Sequence, residues 1–200
     1  MREKKRLINR ILVPLDGSSA SQLSVPYALA LARKSGAGIA LFGMVERADY
    51  YSHHVSFMPH TKYMAKEYAR LDVAAEGNAR AYLIGIEKKL RREGVRVTHG
   101  ITLGFSPARD ILEQEEKTSA DLVVMATRGS SGINHWAFGS VTEKVLRGGK
   151  LPLFLVREAV QYNFLSNLCG GNTGYFRSDE YDTQILKAVE HALTTAPDLK

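Results

Sequence analysis

Between Ala126 and Ser140 the chain gathers residues suited to holding an anion. Gly129, Gly132 and Gly139 fall in a polar stretch after the apolar run Asp121 to Ala126, and a helical pattern opens at Ser140. Glycine lets another group approach the backbone closely. The first amides of a helix have no intrahelical partner and sit at the positive end of its dipole. Ser140, Val141 and Thr142 therefore offer N–H groups where a phosphate is stabilised. The hydroxyls of Ser130, Ser131, Ser140 and Thr142, and the guanidinium of Arg128, can add donors. A second reading needs no ligand. Ser140-Val141-Thr142-Glu143 also fits a capping box, S-x-x-E, with Ser140 as the N-cap. Neither a Walker A sequence nor G-x-G-x-x-G is present.

Other polar groups point to less. Asp16-Gly17-Ser18 follows the apolar run Arg10 to Leu15 and reads as a turn at a strand end. His53, His54 and His60 share a polar segment but lack Cys or carboxylate partners at metal-ligand spacing. Trp136, next to His135, reads as a packing or dimer-contact residue, and Tyr50-Tyr51 as a loop anchor. Cys169 is the single cysteine, so no internal disulfide can form. No general base is paired with an orienting group near the glycines in a way the sequence shows, so no catalytic residue is assigned.

These residues need a frame to bring them together. Arg10 to Leu15, Ile39 to Val45, Asp121 to Ala126 and Leu151 to Val156 are short apolar runs of buried-strand type, and Val95 to Leu103 alternates. Helical patterns lie between them. Ser19 to Ser35 contains Pro26, which predicts a kink or a late helix start, and Gly36 ends it. Ala65 to Arg92 carries Leu71, Ala75, Tyr82, Ile86 and Leu90, and Gly94 ends it. Ser106-Pro107 supplies an N-cap and a first helical residue for a helix to about Lys117. A further helix runs from Ser140 to about Arg147. Strands alternating with such helices predict an α/β domain with an open, doubly wound, Rossmann-like parallel sheet. Ligands of such sheets bind at the C-terminal strand ends, where the winding reverses. If the first and fourth strands are neighbours, Asp16 and the glycine segment share that crevice.

Composition sets outer bounds. Two hundred residues with 44% hydrophobic and 24% charged content suit one globular domain with an extension: residues 1–158 and 159–200. In the extension, Gly170 to Gly174 reads as a loop and Ser178 as the cap of one amphipathic helix bearing Tyr181, Ile185, Leu186, Val189 and Leu193. The net charge is +6, and the residues from Arg157 onward are acidic overall. The basic residues are dispersed except for Arg2-Glu3-Lys4-Lys5-Arg6. Without zinc-finger spacing or interleaved aromatics, no nucleic-acid partner is expected. No run approaches a membrane span, and no signal peptide is evident, so a cytoplasmic protein is expected.

ILVPLDGSSAS, and ADLVVMATRGSSGINHWAFGSVTEKVLRGGKLPLFLVR near the end, resemble the universal stress protein family over roughly residues 8–157. The family pattern is G-x-x-G, nine residues, then G-[ST]. Gly129, Ser130 to Phe138, and Gly139-Ser140 match it, while Ala126 replaces the first glycine and puts a methyl group there. The resemblance implies five strands in the order 3-2-1-4-5, with helices on both faces. It also implies ATP, with Mg2+ through the phosphates. Asp16 and Pro14 would lie on the base and ribose side, the backbone near Met44 would read adenine, and Met125 and Ala126 would line base and ribose. Gly129, Ser130, Gly139, Ser140 and Val141 would cradle the phosphates. The last strand, Leu151 to Val156, would pair with its twin in a homodimer. The expected function is an ATP-binding regulatory protein of the stress response, a nucleotide-dependent dimeric switch acting on an unidentified protein partner. Two alternatives share the fold: a dimeric interaction protein that binds no nucleotide, and a weak ATP hydrolase.

Overall fold

A computed structural model of the chain describes residues 7–48, 62–127 and 139–157. The elements are β1 (Arg10–Leu15), α1 (Ser19–Gln22), α2 (Ser24–Ser35), β2 (Gly38–Glu46), α3 (Lys62–Arg92), β3 (Val97–Gly104), α4 (Pro107–Lys117), β4 (Leu122–Ala126), α5 (Ser140–Gly148) and β5 (Leu153–Val156). The five strands form one parallel sheet in the order β3-β2-β1-β4-β5.

The central strands carry continuous apolar runs because both of their faces are covered. Ile11, Leu12 and Val13 are fully buried. On one face Ile11, Val13, Ile39, Leu41 and Val124 pack with Val25 and Leu29 of α2 and with Leu83 and Leu90 of α3. On the other, Leu12, Ala40, Phe42, Val123 and Met125 pack with Ala108 and Ile111 of α4 and Val145 of α5. The period-two alternation of the strands divides the residues between two cores.

Several local signals act as the sequence predicts, with adjusted bounds. Gly36 takes a left-handed conformation (φ 71°) and closes α2. The segment with Pro26 divides at Leu23, so that the proline falls in the first turn of α2, where its missing N–H has no intrahelical acceptor to lose. Pro107 opens α4, but the Ser106 side chain makes no capping hydrogen bond; its carbonyl accepts from the Asp110 N–H (3.0 Å). The expected polar segment before α3 is shortened at both ends, since Glu46 is still strand and Lys62 already helix.

Helix α3 departs most from expectation. At 31 residues it is about 46 Å long, longer than the sheet it crosses. Leu83, Glu87 and Leu90 are buried, whereas Leu71 is 49% exposed despite lying on the predicted apolar stripe. Among the described residues, the first half of α3 is tied down near Asp72. Its Oδ1 accepts from the Ala48 N–H (2.8 Å), just past the end of β2.

Candidate functional site

The reversal of winding falls between β1 and β4, and the sheet parts there. Their pairing runs only through Ile11↔Leu122 and Leu12↔Val123, while β1 and β2 stay paired to Leu15↔Gly43. Proline contributes to this parting. The Arg10 carbonyl accepts from Asp121 N–H (2.9 Å) on the β4 side, and the Asn9 carbonyl accepts from Gly38 N–H (2.8 Å) on the β2 side. By that alternation Pro14 turns its nitrogen toward β4, with no hydrogen to donate. The ladder cannot continue, and a crevice opens at the C-terminal ends of the two strands.

Asp16 stands at the lip of this crevice and is exposed. Its Oδ1 accepts from the Ser18 N–H (3.0 Å) and the Ser18 hydroxyl (2.6 Å). The Ser18 hydroxyl also caps α1 by accepting from Ser21 N–H (3.0 Å). Gly17 supplies the left-handed turn between them (φ 81°). The carboxylate is thus oriented by its own turn, a job for which Asp and Ser are well suited.

The opposite wall is the end of β4 and the start of α5. Thr127 N–H donates to the Val156 carbonyl (2.8 Å), and Gly139 N–H donates to the Thr127 carbonyl (2.7 Å). The chain therefore returns at Gly139 to the point it left at Thr127. The buried Thr142 hydroxyl donates to the Ala126 carbonyl (3.1 Å), locking the first turn of α5 against the strand end.

The N-cap of α5 is Gly139, not Ser140, and among the described residues no side chain caps the helix. Ser140 is already helical and exposed. The Glu143 carboxylate is held by Arg147 (3.0 Å), one turn on, instead of reaching back. The capping-box reading is thereby corrected: glycine has no side-chain oxygen, and the glutamate is engaged elsewhere. The Thr142 hydroxyl is likewise spent on Ala126 and cannot serve an anion. That role was hidden in the sequence, because its acceptor lies sixteen residues away.

Met44, Met125 and Val141 come together in the apolar cluster under α4 and α5. By the strand alternation, Met44 turns its main-chain groups toward β1, one residue past the last β1–β2 pair. Ala126 is 7% exposed and pairs with Val156, its methyl on the face shared with Leu122 and Val124. Of the predicted site residues, Pro14, Asp16, Met44, Met125, Ala126, Gly139, Ser140 and Val141 all lie at this end of the sheet. Gly129 and Ser130 lie outside the described residues, as do His53, His54, His60, Tyr50-Tyr51, His135, Trp136, Cys169 and the whole extension beyond Arg157.

The family model of the universal stress protein family matches residues 8–157. The chain belongs to this family. It is 26% identical to Universal stress protein MJ0531 of Methanocaldococcus jannaschii over 79% of this chain and 87% of that one. It is also 26% identical to Universal stress protein YxiE of Bacillus subtilis, over 76% of this chain and all of YxiE. Among solved structures, protein MJ0577 superposes with a TM-score of 0.65 at 20% identity, covering 78% of this chain and 99% of that one. Universal stress protein UspA from Lactobacillus plantarum gives 0.64 at 20% identity, covering 75% and 98%. At such identities these two structures bear on the fold alone, and they share this one.

Proposed function

We propose that this universal stress protein is an ATP-binding regulatory protein of the stress response, acting as a nucleotide-dependent homodimeric switch on a partner protein. The observation that carries the reading is the start of α5. Among the described residues no side chain caps its first-turn amides, the turn is held at the end of β4 by the Thr142 hydroxyl on the Ala126 carbonyl, and Glu143 is drawn away to Arg147. An anion there would satisfy backbone donors and meet the positive end of the helix dipole. A universal stress protein of Archaeoglobus fulgidus with the same fold (TM-score 0.50, 16% identity) is in complex with dAMP, which supports a nucleotide in this crevice.

In this reading the amides of Ser140 and Val141, with Gly129, Ser130 and Gly139, hold the phosphates. Asp16 and Pro14 bound the ribose side, Met125 and Ala126 line base and ribose, and the Met44 backbone meets the base. ATP with Mg2+ on its phosphates supplies the charge that this wall accepts.

The decisive experiment is ATP titration of Gly139→Val by calorimetry. Gly139 has φ −70° and ψ 158°, which valine adopts readily, so the backbone is not strained by the change. The added isopropyl group should obstruct the approach to the first turn of α5 and lower ATP affinity at least about tenfold, or 1.4 kcal/mol. Unchanged affinity would remove the proposed cradle.

A further inference from the structure

We propose that Thr127, a position the family pattern leaves open, is a further phosphate ligand of the crevice, its hydroxyl donating to the anion held at the start of α5. The inference rests on the nucleotide reading above and adds a side-chain donor to that main-chain cradle.

Thr127 directly follows β4. Its N–H donates to the Val156 carbonyl (2.8 Å), as Val123 N–H donates to the Pro152 carbonyl (3.0 Å), so the ladder to β5 runs one residue beyond the strand. The period-two alternation is kept, and the Thr127 side chain falls on the face of Val123 and Met125. That is the face α5 covers, through Val141 and Val145. Two hydrogen bonds bracket the place: Gly139 N–H on the Thr127 carbonyl (2.7 Å), and the Thr142 hydroxyl on the Ala126 carbonyl (3.1 Å). Thr127 therefore lies against the first turn of α5, with its side chain on the helix side of the sheet.

Thr127 is only 4% exposed, yet its hydroxyl makes no hydrogen bond among the described residues. Leaving such a group without a partner is costly. The other buried Ser and Thr hydroxyls of the described residues are spent: Ser21 on the Ser18 carbonyl (3.0 Å), Ser24 on the Ser21 carbonyl (2.6 Å), and Thr142 on Ala126. The exception stands where the first amides of α5 are also uncapped among the described residues. The hydroxyl does not accept from those amides, so neither answers the other. Both can donate, and Gly139, as N-cap, has no side-chain oxygen to offer. One phosphoryl oxygen group would satisfy the O–H and the N–H groups together. The apolar cluster of Met125, Val141 and Val145 lowers the local dielectric, which strengthens a hydrogen bond to a charged oxygen.

The test is calorimetric titration of the full chain with ATP and, separately, with inorganic tripolyphosphate, beside a thermal melt without ligand. Thr127→Val keeps the shape and removes the donor. It should bind both probes at least about tenfold more weakly. It should melt no lower than the parent, because the hydroxyl it removes is buried and unpaired. Thr127→Ser keeps the donor and should bind both probes as the parent does. A parent that binds neither probe overturns the nucleotide reading and this inference with it. A parent that binds both, with Thr127→Val binding them equally well, overturns the Thr127 assignment alone. A Thr127→Val variant that melts below the parent would give the hydroxyl a partner inside the protein and overturn the assignment too. Loss of ATP binding without loss of tripolyphosphate binding would move the hydroxyl from the phosphates to the nucleoside.

Discussion

At the scale of single residues, two polar groups show opposite outcomes of burial. Thr142 lends its hydroxyl to the Ala126 carbonyl inside the protein. Thr142→Val keeps the shape but leaves that buried acceptor without its donor. The expected loss is about 1–3 kcal/mol of stability, read from denaturant unfolding, with weaker ATP binding as α5 shifts from the strand end. Asp110 presents the opposite case. Its carboxylate lies over Gly104, where a Cβ would overlap it, and its Oδ2 is buried without a hydrogen bond among the described residues. Desolvation raises its pKa, Glu113 adds to the rise, and Arg109 and Lys117 oppose it. A carboxyl whose folded pKa lies above its unfolded value contributes stability that is present at low pH and lost as pH rises through the folded value. Asp110→Asn should therefore melt higher than the parent at neutral pH. The difference should close as the pH falls below the ordinary carboxylate range, near 4. A melting temperature below the parent's at neutral pH would mean that the carboxylate has a partner.

At the scale of elements, the joint between α5 and β5 is tightly constrained. Gly149 closes α5, and a Cβ there would lie 2.8 Å from the Val145 carbonyl and 3.1 Å from Glu115 Oε1. Glu115 is buried and its Oε2 accepts from the Lys150 N–H (3.4 Å), so it cannot easily withdraw. Gly149→Ala should cost about 1–3 kcal/mol through overpacking, measured by urea unfolding. A neutral result would show that the turn yields. Helix α3 is anchored differently, by its C-terminal half. Glu87 is buried between His99 of the edge strand and Arg91 (2.5 Å), and Leu83 packs over Gly43 of β2.

At the scale of the molecule, β5 is the edge strand that would meet a second copy in the proposed dimer. Pro152 and Val156 direct their carbonyls to Val123 and Thr127 of β4, so the alternating residues Leu153 and Leu155 direct their main-chain groups outward. Leu155→Pro removes an outward N–H while sparing the ladder to β4. The expected outcome is a folded monomer in native mass spectrometry, where the parent gives a dimer. A dimer that survives the substitution would place the interface elsewhere. No described helix is long and apolar enough to cross a membrane.

The sequence alone determined the alternation of five strands and their helices, because apolar periodicity, Gly36, Gly94 and Pro107 act within a few residues of themselves. Through the spacing of Gly129, Gly139 and Ser140 it also determined the family. It left open whether Ser140 or Gly139 caps α5, what Thr142 binds, and how far α3 overhangs the sheet. Those depend on groups distant in the chain: the Ala126 carbonyl, the Arg147 guanidinium, and the length of the neighbouring strands. A hydrogen-bond donor is committed by whichever acceptor the fold brings within about 3 Å, and only the tertiary structure makes that choice.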